Sequence, residues 1–306
     1  MAVDLNGIFV PVITPFDPVT NAVDYNMLRR NIEKLNYTNI RGYMPLGSNG
    51  EFFMLNDDEA YEVTRVVKEA ASPDKLVFTG TGRESTKETI SFTKKVAELG
   101  IDAVFILTPH YFPKQITQEC LVEFYTKVAD ESPLPIILYS APGYAAGVNI
   151  EPNTVKILSS HNNIIGIKDT SALPIEQYLN LLTDVKEFFV LSGTFGKFLD
   201  SIRKGASGGV LSSANYIPEL CCSLYALIKE GKYEKAEKLN GMLGDLAAQT
   251  TAPAGVSGVK AAMNLLGYTC GSPRHPLKPV EDENLRKMEL TFEQSLSIIN
   301  ELLNED

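Results

Sequence analysis

The sequence predicts an α/β fold, a closed (β/α)8 TIM barrel with an appended C-terminal helical layer, and three observations predict it. Eight short and nearly continuous apolar runs recur along the first 214 residues. Their starts lie 20 to 35 residues apart, room for a crossover helix each time. Amphipathic stretches with helix-start signals fill the intervals.

The runs cover residues 7–14, 42–48, 76–82, 103–109, 135–142, 164–170, 188–193 and 208–214. Continuous rather than alternating apolarity suits parallel strands buried on both faces. Among the helical intervals, Asp57, Asp58 and Glu59 open a segment in which Ala60, Val63, Val66 and Val67 recur at helical spacing. Ser85 and Glu88 have the spacing of a capping box, ahead of a helix ending near Gly100. Thr117, Glu151 and Pro174 begin further helices. Eight β-α units favour a closed barrel over a doubly wound open sheet.

After about residue 230 the strand pattern stops. Residues 232–248, 256–266 and 282–303 read as helices, separated by residues 250–254 and a loop over 271–279. The expected organisation is a catalytic barrel over 1–230 and a helical extension over 231–306. With 306 residues and 44% hydrophobic composition, the chain can bury a sizeable core.

Composition excludes several function classes. A net charge of -10 argues against nucleic acid or an anionic membrane as partner. The N-terminus has no signal-peptide pattern and no apolar run is long enough to span a bilayer. The four cysteines show no CxxC spacing, and reduced thiols in a cytoplasmic protein are the expectation. His110, His161 and His275 form no HExxH-like pair, so no metal is expected. Gly80, Thr81 and Gly82 lack both the Walker and GxGxxG patterns and read as a strand–helix turn, with Arg83 at the surface or in an interface.

Lys168 is the only Lys or Arg in the eight runs. It stands near the C-terminal end of the sixth, the end where barrels build active sites. Burial there disfavours the ammonium form, and a neutral amine can attack a carbonyl to give a Schiff base. The competing reading is a lysine merely paired with Asp169 or another acid. Tyr139 closes the fifth run. Ser48 and Asn49 lie in the sequence GSNGE at 47–51, where flanking glycines and amide or hydroxyl donors suit a carboxylate. Taken singly, that turn and that tyrosine are equally readable as a tight turn and as packing.

These motifs, with TPHYF at 108–112, LYSAP at 138–142, GIKDTS at 166–171 and SGT at 192–194, resemble the dihydrodipicolinate synthase/N-acetylneuraminate lyase family of class I aldolases. The resemblance spans nearly the whole chain. It implies that Lys168 is the Schiff-base lysine, that Tyr139 moves protons near the imine, and that Ser48 holds the hydroxyl position of a Ser–Tyr–Tyr relay. It implies that Asn49 helps to hold the 2-oxo acid carboxylate, and that Gly193 and Leu211 line the pyruvate pocket. By the same resemblance Tyr111 reaches the neighbouring subunit's site in a homotetramer of tight dimers.

Tyr144 stands where dihydrodipicolinate synthases usually present a carboxylate-binding arginine, and tyrosine cannot supply that permanent charged fork. The motifs look closest to the 4-hydroxy-2-oxoglutarate aldolase branch. The expected activity is a reversible carbon–carbon cleavage or condensation between pyruvate and an aldehyde, without cofactor. Dihydrodipicolinate synthase, N-acetylneuraminate lyase and a sugar-acid aldolase or dehydratase are the enzymatic alternatives; a barrel that only binds a metabolite is the non-enzymatic one.

Overall fold

A computed structural model of the chain describes residues 3–185 and 187–304. Eight parallel strands close on themselves in sequence order. They are β1 (Gly7–Val10), β2 (Gly42–Tyr43), β3 (Leu76–Gly80), β4 (Ala103–Leu107), β5 (Ile136–Ser140), β6 (Ile164–Asp169), β7 (Phe189–Ser192) and β8 (Gly208–Val210). Closure is made by β1 pairing with β8, Gly7 opposite Gly208. Each predicted run contains one strand, and most overshoot it at the C-terminal end. There the chain leaves the ladder and continues, still buried, into the loops that line the site.

The barrel interior is filled by side chains. Aromatic rings contact one another from Phe9 to Phe78 (4.7 Å), Phe78 to Phe105 (6.2 Å) and Phe105 to Tyr139 (5.7 Å), all edge to face. This packed column leads from β1 to the tyrosine at the end of β5.

Helices α1 (Tyr25–Leu35), α2 (Asp57–Ala70), α3 (Thr86–Ala97), α4 (Gln118–Glu131), α5 (Pro152–Leu158), α6 (Glu176–Leu179), α7 (Phe195–Arg203) and α8 (Pro218–Lys229) occupy the intervals. Helix α2 begins with a full capping box between Asn56 and Glu59. At α3 one half forms: the Ser85 side chain accepts from the Glu88 N–H. Thr117 caps α4 as expected. Arg83 departs from expectation. It is mostly buried, between the rings of Phe52 (4.5 Å) and Phe92 (4.1 Å), with Asp57 at 2.6 Å. Flat guanidinium faces stack on rings, so this cation packs inward.

The C-terminal layer comprises α9 (Tyr233–Leu265) and α10 (Asp282–Asn304). Residues 250–254, expected to separate two helices, are helical. The interruption falls at Gly255, whose φ of 54° and ψ of -131° are non-helical. A left-handed φ of this kind costs glycine little. No helix among the described residues is long and apolar enough to cross a membrane.

Candidate active site

Strand β6 positions Lys168 beside Tyr139 of β5, its partner in the ladder register. The Lys168 ammonium nitrogen sits 4.2 Å from the centre of the Tyr139 ring and 3.8 Å from the Met44 Sδ. Lys168 is 4% exposed, and among the described residues it has no ion-pair partner. Burial alone pushes its pKa down to about 7. The reading in which Asp169 neutralises it does not hold. The Asp169 carboxylate accepts from the Ser171 N–H (3.1 Å) and the Tyr178 hydroxyl (3.3 Å) instead. Adjacent residues on a strand point to opposite faces, which separates the two charges.

Gly193, after β7, makes room for this lysine. A Cβ added there would lie 2.3 Å from the Thr170 Cγ2, 2.9 Å from the Asp169 carbonyl oxygen and 3.2 Å from the Lys168 Cε. Only a bare backbone fits against the lysine stem.

The Tyr139 hydroxyl lies 3.4 Å from the Ser48 hydroxyl. Burial pushes the phenol well above its usual range, so at neutral pH it keeps its proton and can donate it. Ser48 belongs to the turn after β2, folded by the Gly50 N–H to Gly47 carbonyl (3.0 Å) and Glu51 N–H to Ser48 carbonyl (3.1 Å) bonds. In the same turn the Asn49 amide donates to the Ser212 hydroxyl at 2.8 Å.

A cavity of about 540 Å³ opens over these groups, walled by Lys168, Tyr139, Ser48, Asn49, Gly193 and Tyr144 among others. A second chamber of about 350 Å³ shares Ser48, Asn49, Tyr139 and Tyr144 with it and is walled mainly by apolar side chains such as Phe52, Phe105 and Leu107. Lys168 is the one basic side chain on either wall among the described residues. Among them no group of three or more His, Cys, Asp or Glu could hold a metal ion.

The structure thus gathers Lys168, Tyr139, Ser48, Asn49 and Gly193, and places Tyr144 at the mouth, 60% exposed. Two expected residues lie elsewhere. Leu211 is fully buried, and the wall near it is Val210, Ser212 and Ser213. Along the extended chain Val210 and Ser212 face the cavity and Leu211, between them, faces the core; Ser213 joins the wall where a 3-10 helix (Ser212–Asn215) begins. Tyr111 is 74% exposed and lines neither chamber of its own subunit; it packs edge to face on Phe112 at 4.9 Å. Met44 and Ser212 were not anticipated. A methionine and a serine inside apolar runs carry no distinguishing signal.

The model of the Dihydrodipicolinate synthetase family matches residues 4–295. The chain belongs to the dihydrodipicolinate synthetase family. It is 34% identical over 286 residues to a 4-hydroxy-tetrahydrodipicolinate synthase of Haloarcula marismortui, covering 93% of this chain and 92% of that one. A dihydrodipicolinate synthase from Bacillus anthracis superposes with a TM-score of 0.89 at 28% identity, over 95% of this chain and 99% of that one. A prophage protein of the dihydrodipicolinic acid synthase family from E. coli K12, solved in complex with pyruvate, gives a TM-score of 0.88 at 25% identity, over 95% and 99% of the two chains. As a member of the dihydrodipicolinate synthetase family, the protein is a carbon–carbon lyase, a class I aldolase of the 2-oxo acid type.

Proposed function

We propose that the protein joins pyruvate to an aldehyde, or reverses that reaction, through a Schiff base on Lys168. The observation that carries this reading is a buried lysine without a counter-ion, its pKa pushed down to about 7, on the wall of a cavity beside a buried tyrosine hydroxyl. The neutral amine attacks the ketone carbon, and the carbinolamine loses water to give the imine. The Tyr139–Ser48 relay, having given a proton to the departing hydroxyl, takes one from the methyl carbon to give an enamine. The enamine carbon bonds to the aldehyde carbon, and the new alkoxide takes a proton from the relay of Tyr139, Ser48 and Tyr111. Water then releases the product and restores the amine. The Asn49 amide and the Ser48 hydroxyl orient the carboxylate.

For the acceptor, the named relatives back 4-hydroxy-tetrahydrodipicolinate synthesis better than the 4-hydroxy-2-oxoglutarate cleavage expected from the motifs. One feature of the site bears on both readings, because the aldehyde partner carries a carboxylate in either reaction. With Tyr144 at the mouth and Lys168 the one basic group on the walls among the described residues, no arginine among them lines the site to grip that carboxylate. Comparing kcat/KM for pyruvate plus aspartate semialdehyde with that for 4-hydroxy-2-oxoglutarate decides between them. Preference for the semialdehyde supports the synthase reading; preference for the hydroxy acid supports the aldolase reading.

Tyr111 acts in the partner subunit under this proposal, within a homotetramer of tight dimers in the cytoplasm. Its exposure, next to an exposed Phe112, supports that placement. Mixing inactive Lys168→Ala subunits with Tyr111→Ala subunits builds one complete site in each hybrid dimer. Random reassembly should then recover about a quarter of wild-type activity. No recovery on verified hybrid formation returns Tyr111 to the surface.

A further inference from the structure

The turn that carries Ser48 and Asn49 is held from its far end by the C-terminal layer. Its last residue, Glu51, has a left-handed backbone with φ of 53° and ψ of 39°, and Leu46 before it has φ of 64°. Neither is a glycine. Side chains in that region persist only where surrounding contacts fix them.

Those contacts are specific. The Glu51 Oε1 lies 2.5 Å from the Lys260 Nζ, with both side chains 1% exposed. The Glu51 Oε2 accepts the Arg274 N–H at 2.8 Å. Lys260 also donates to the Ser272 carbonyl (3.1 Å) and covers the Phe16 ring at 4.3 Å, with the Arg274 guanidinium 4.5 Å from the same ring. Arg274 forks onto Glu59 at 2.8 and 2.6 Å and donates to the Met54 carbonyl at 2.7 Å, so the segment following Glu51 is tied to the same layer. From the barrel side, the Thr14 hydroxyl donates to the Gly50 carbonyl at 2.7 Å.

We infer that the Glu51–Lys260 ion pair is a positioning device for the active site, setting the Ser48 hydroxyl against Tyr139 and the Asn49 amide against Ser212. The inference rests on the Schiff-base reading above. Lys260 does not line the Lys168 cavity; it borders a separate pocket of about 270 Å³ with Ser257 and Asn264. Its contribution is therefore geometric. A buried pair gains little net stability over apolar packing but holds a direction that apolar contacts do not. By this pair the C-terminal helices become part of the site.

The test compares wild type, Glu51→Gln, Lys260→Met and the double variant E51Q/K260M. Each is measured for Tm, for the pyruvate concentration that half-saturates borohydride trapping on Lys168, and for kcat. Lys260→Met alone should lower Tm, because it strands a buried carboxylate. The double variant should recover Tm while its half-saturating pyruvate rises about tenfold and kcat falls on the order of 10²-fold, the scale of a small misplacement of reacting groups. Glu51→Gln, which keeps an acceptor for Arg274, should shift trapping and kcat in the same direction. Recovery of trapping and kcat together with Tm in the double variant would show a merely structural pair and overturn the inference. So would wild-type trapping and kcat in Glu51→Gln. Failure of wild type itself to trap pyruvate on Lys168 overturns the Schiff-base reading, and the inference with it.

Discussion

Two lysines are buried among the described residues, and the fold treats them in opposite ways. Lys260, in the C-terminal layer, meets the Glu51 carboxylate at 2.5 Å and donates to the Ser272 carbonyl. Lys168, at the end of β6, meets a ring face and a thioether. Both lie below the usual lysine pKa because burial disfavours charge, but Glu51 opposes that shift at Lys260 and nothing opposes it at Lys168. Burial alone is therefore not the signature of a nucleophile. What distinguishes Lys168 is burial without a counter-ion, on the wall of a cavity, with a protonated phenol within reach.

The widest separation between the two should come from removing each amine. Lys168→Ala should abolish the borohydride-trapped pyruvate adduct while leaving the fold intact, since it vacates an unpaired position. Lys260→Met should leave the adduct detectable on Lys168 at saturating pyruvate but cost about 3–5 kcal/mol of stability, the usual penalty for stranding one member of a buried pair. Peptide mass spectrometry and thermal unfolding read the two outcomes. Turnover at the wild-type rate in a folded Lys168→Ala preparation would end the covalent mechanism.

Tyr139→Phe sharpens the catalytic side of the comparison. The ring that covers Lys168 is kept and the hydroxyl facing Ser48 is lost. Turnover should fall roughly 10²–10⁴-fold, the range for a general acid–base group, with imine trapping much less affected. An unchanged kcat removes the hydroxyl from the proton path.

How much of this was legible in the sequence differs between the two lysines for a physical reason. Lys168 stood out because a charged residue inside an apolar strand breaks a local pattern, and the barrel rule says which end of that strand matters. The eight strands were legible for the same reason: parallel strands covered on both faces are locally apolar. Their ends were not, since residues 44–47 remain buried after the ladder stops at Tyr43 and hydropathy does not register a hydrogen bond. Leu211 came from the resemblance and not from the apolar pattern: Val210 and Ser212 line the cavity, and alternation turns the residue between them away from it. Lys260 had no such signal. Its partner lies 209 residues away, and its helix shows no period that tells a buried cation from an exposed one. Pairings of that kind are properties of the folded chain.

The smallest expected effect is on pH dependence, and it tests the comparison at its root. The species that attacks pyruvate is the neutral amine, so lowering the pH through the Lys168 pKa removes nucleophile and raising it restores nucleophile. With burial pushing that pKa down to about 7, the rate of adduct formation at subsaturating pyruvate should fall about tenfold per unit well below 7 and level off above it. An ordinary exposed lysine would keep gaining rate toward roughly pH 10. Rapid-quench trapping from pH 5.5 to 9, with pyruvate ionised throughout, separates the two profiles. Glu51→Gln should leave the midpoint where it is, because the Glu51 carboxylate is engaged by Lys260 and Arg274 and is not a partner of Lys168. A midpoint near 10 in wild type would mean that Lys168 holds its charge in the folded protein, and the contrast between the two lysines would lose its chemical basis.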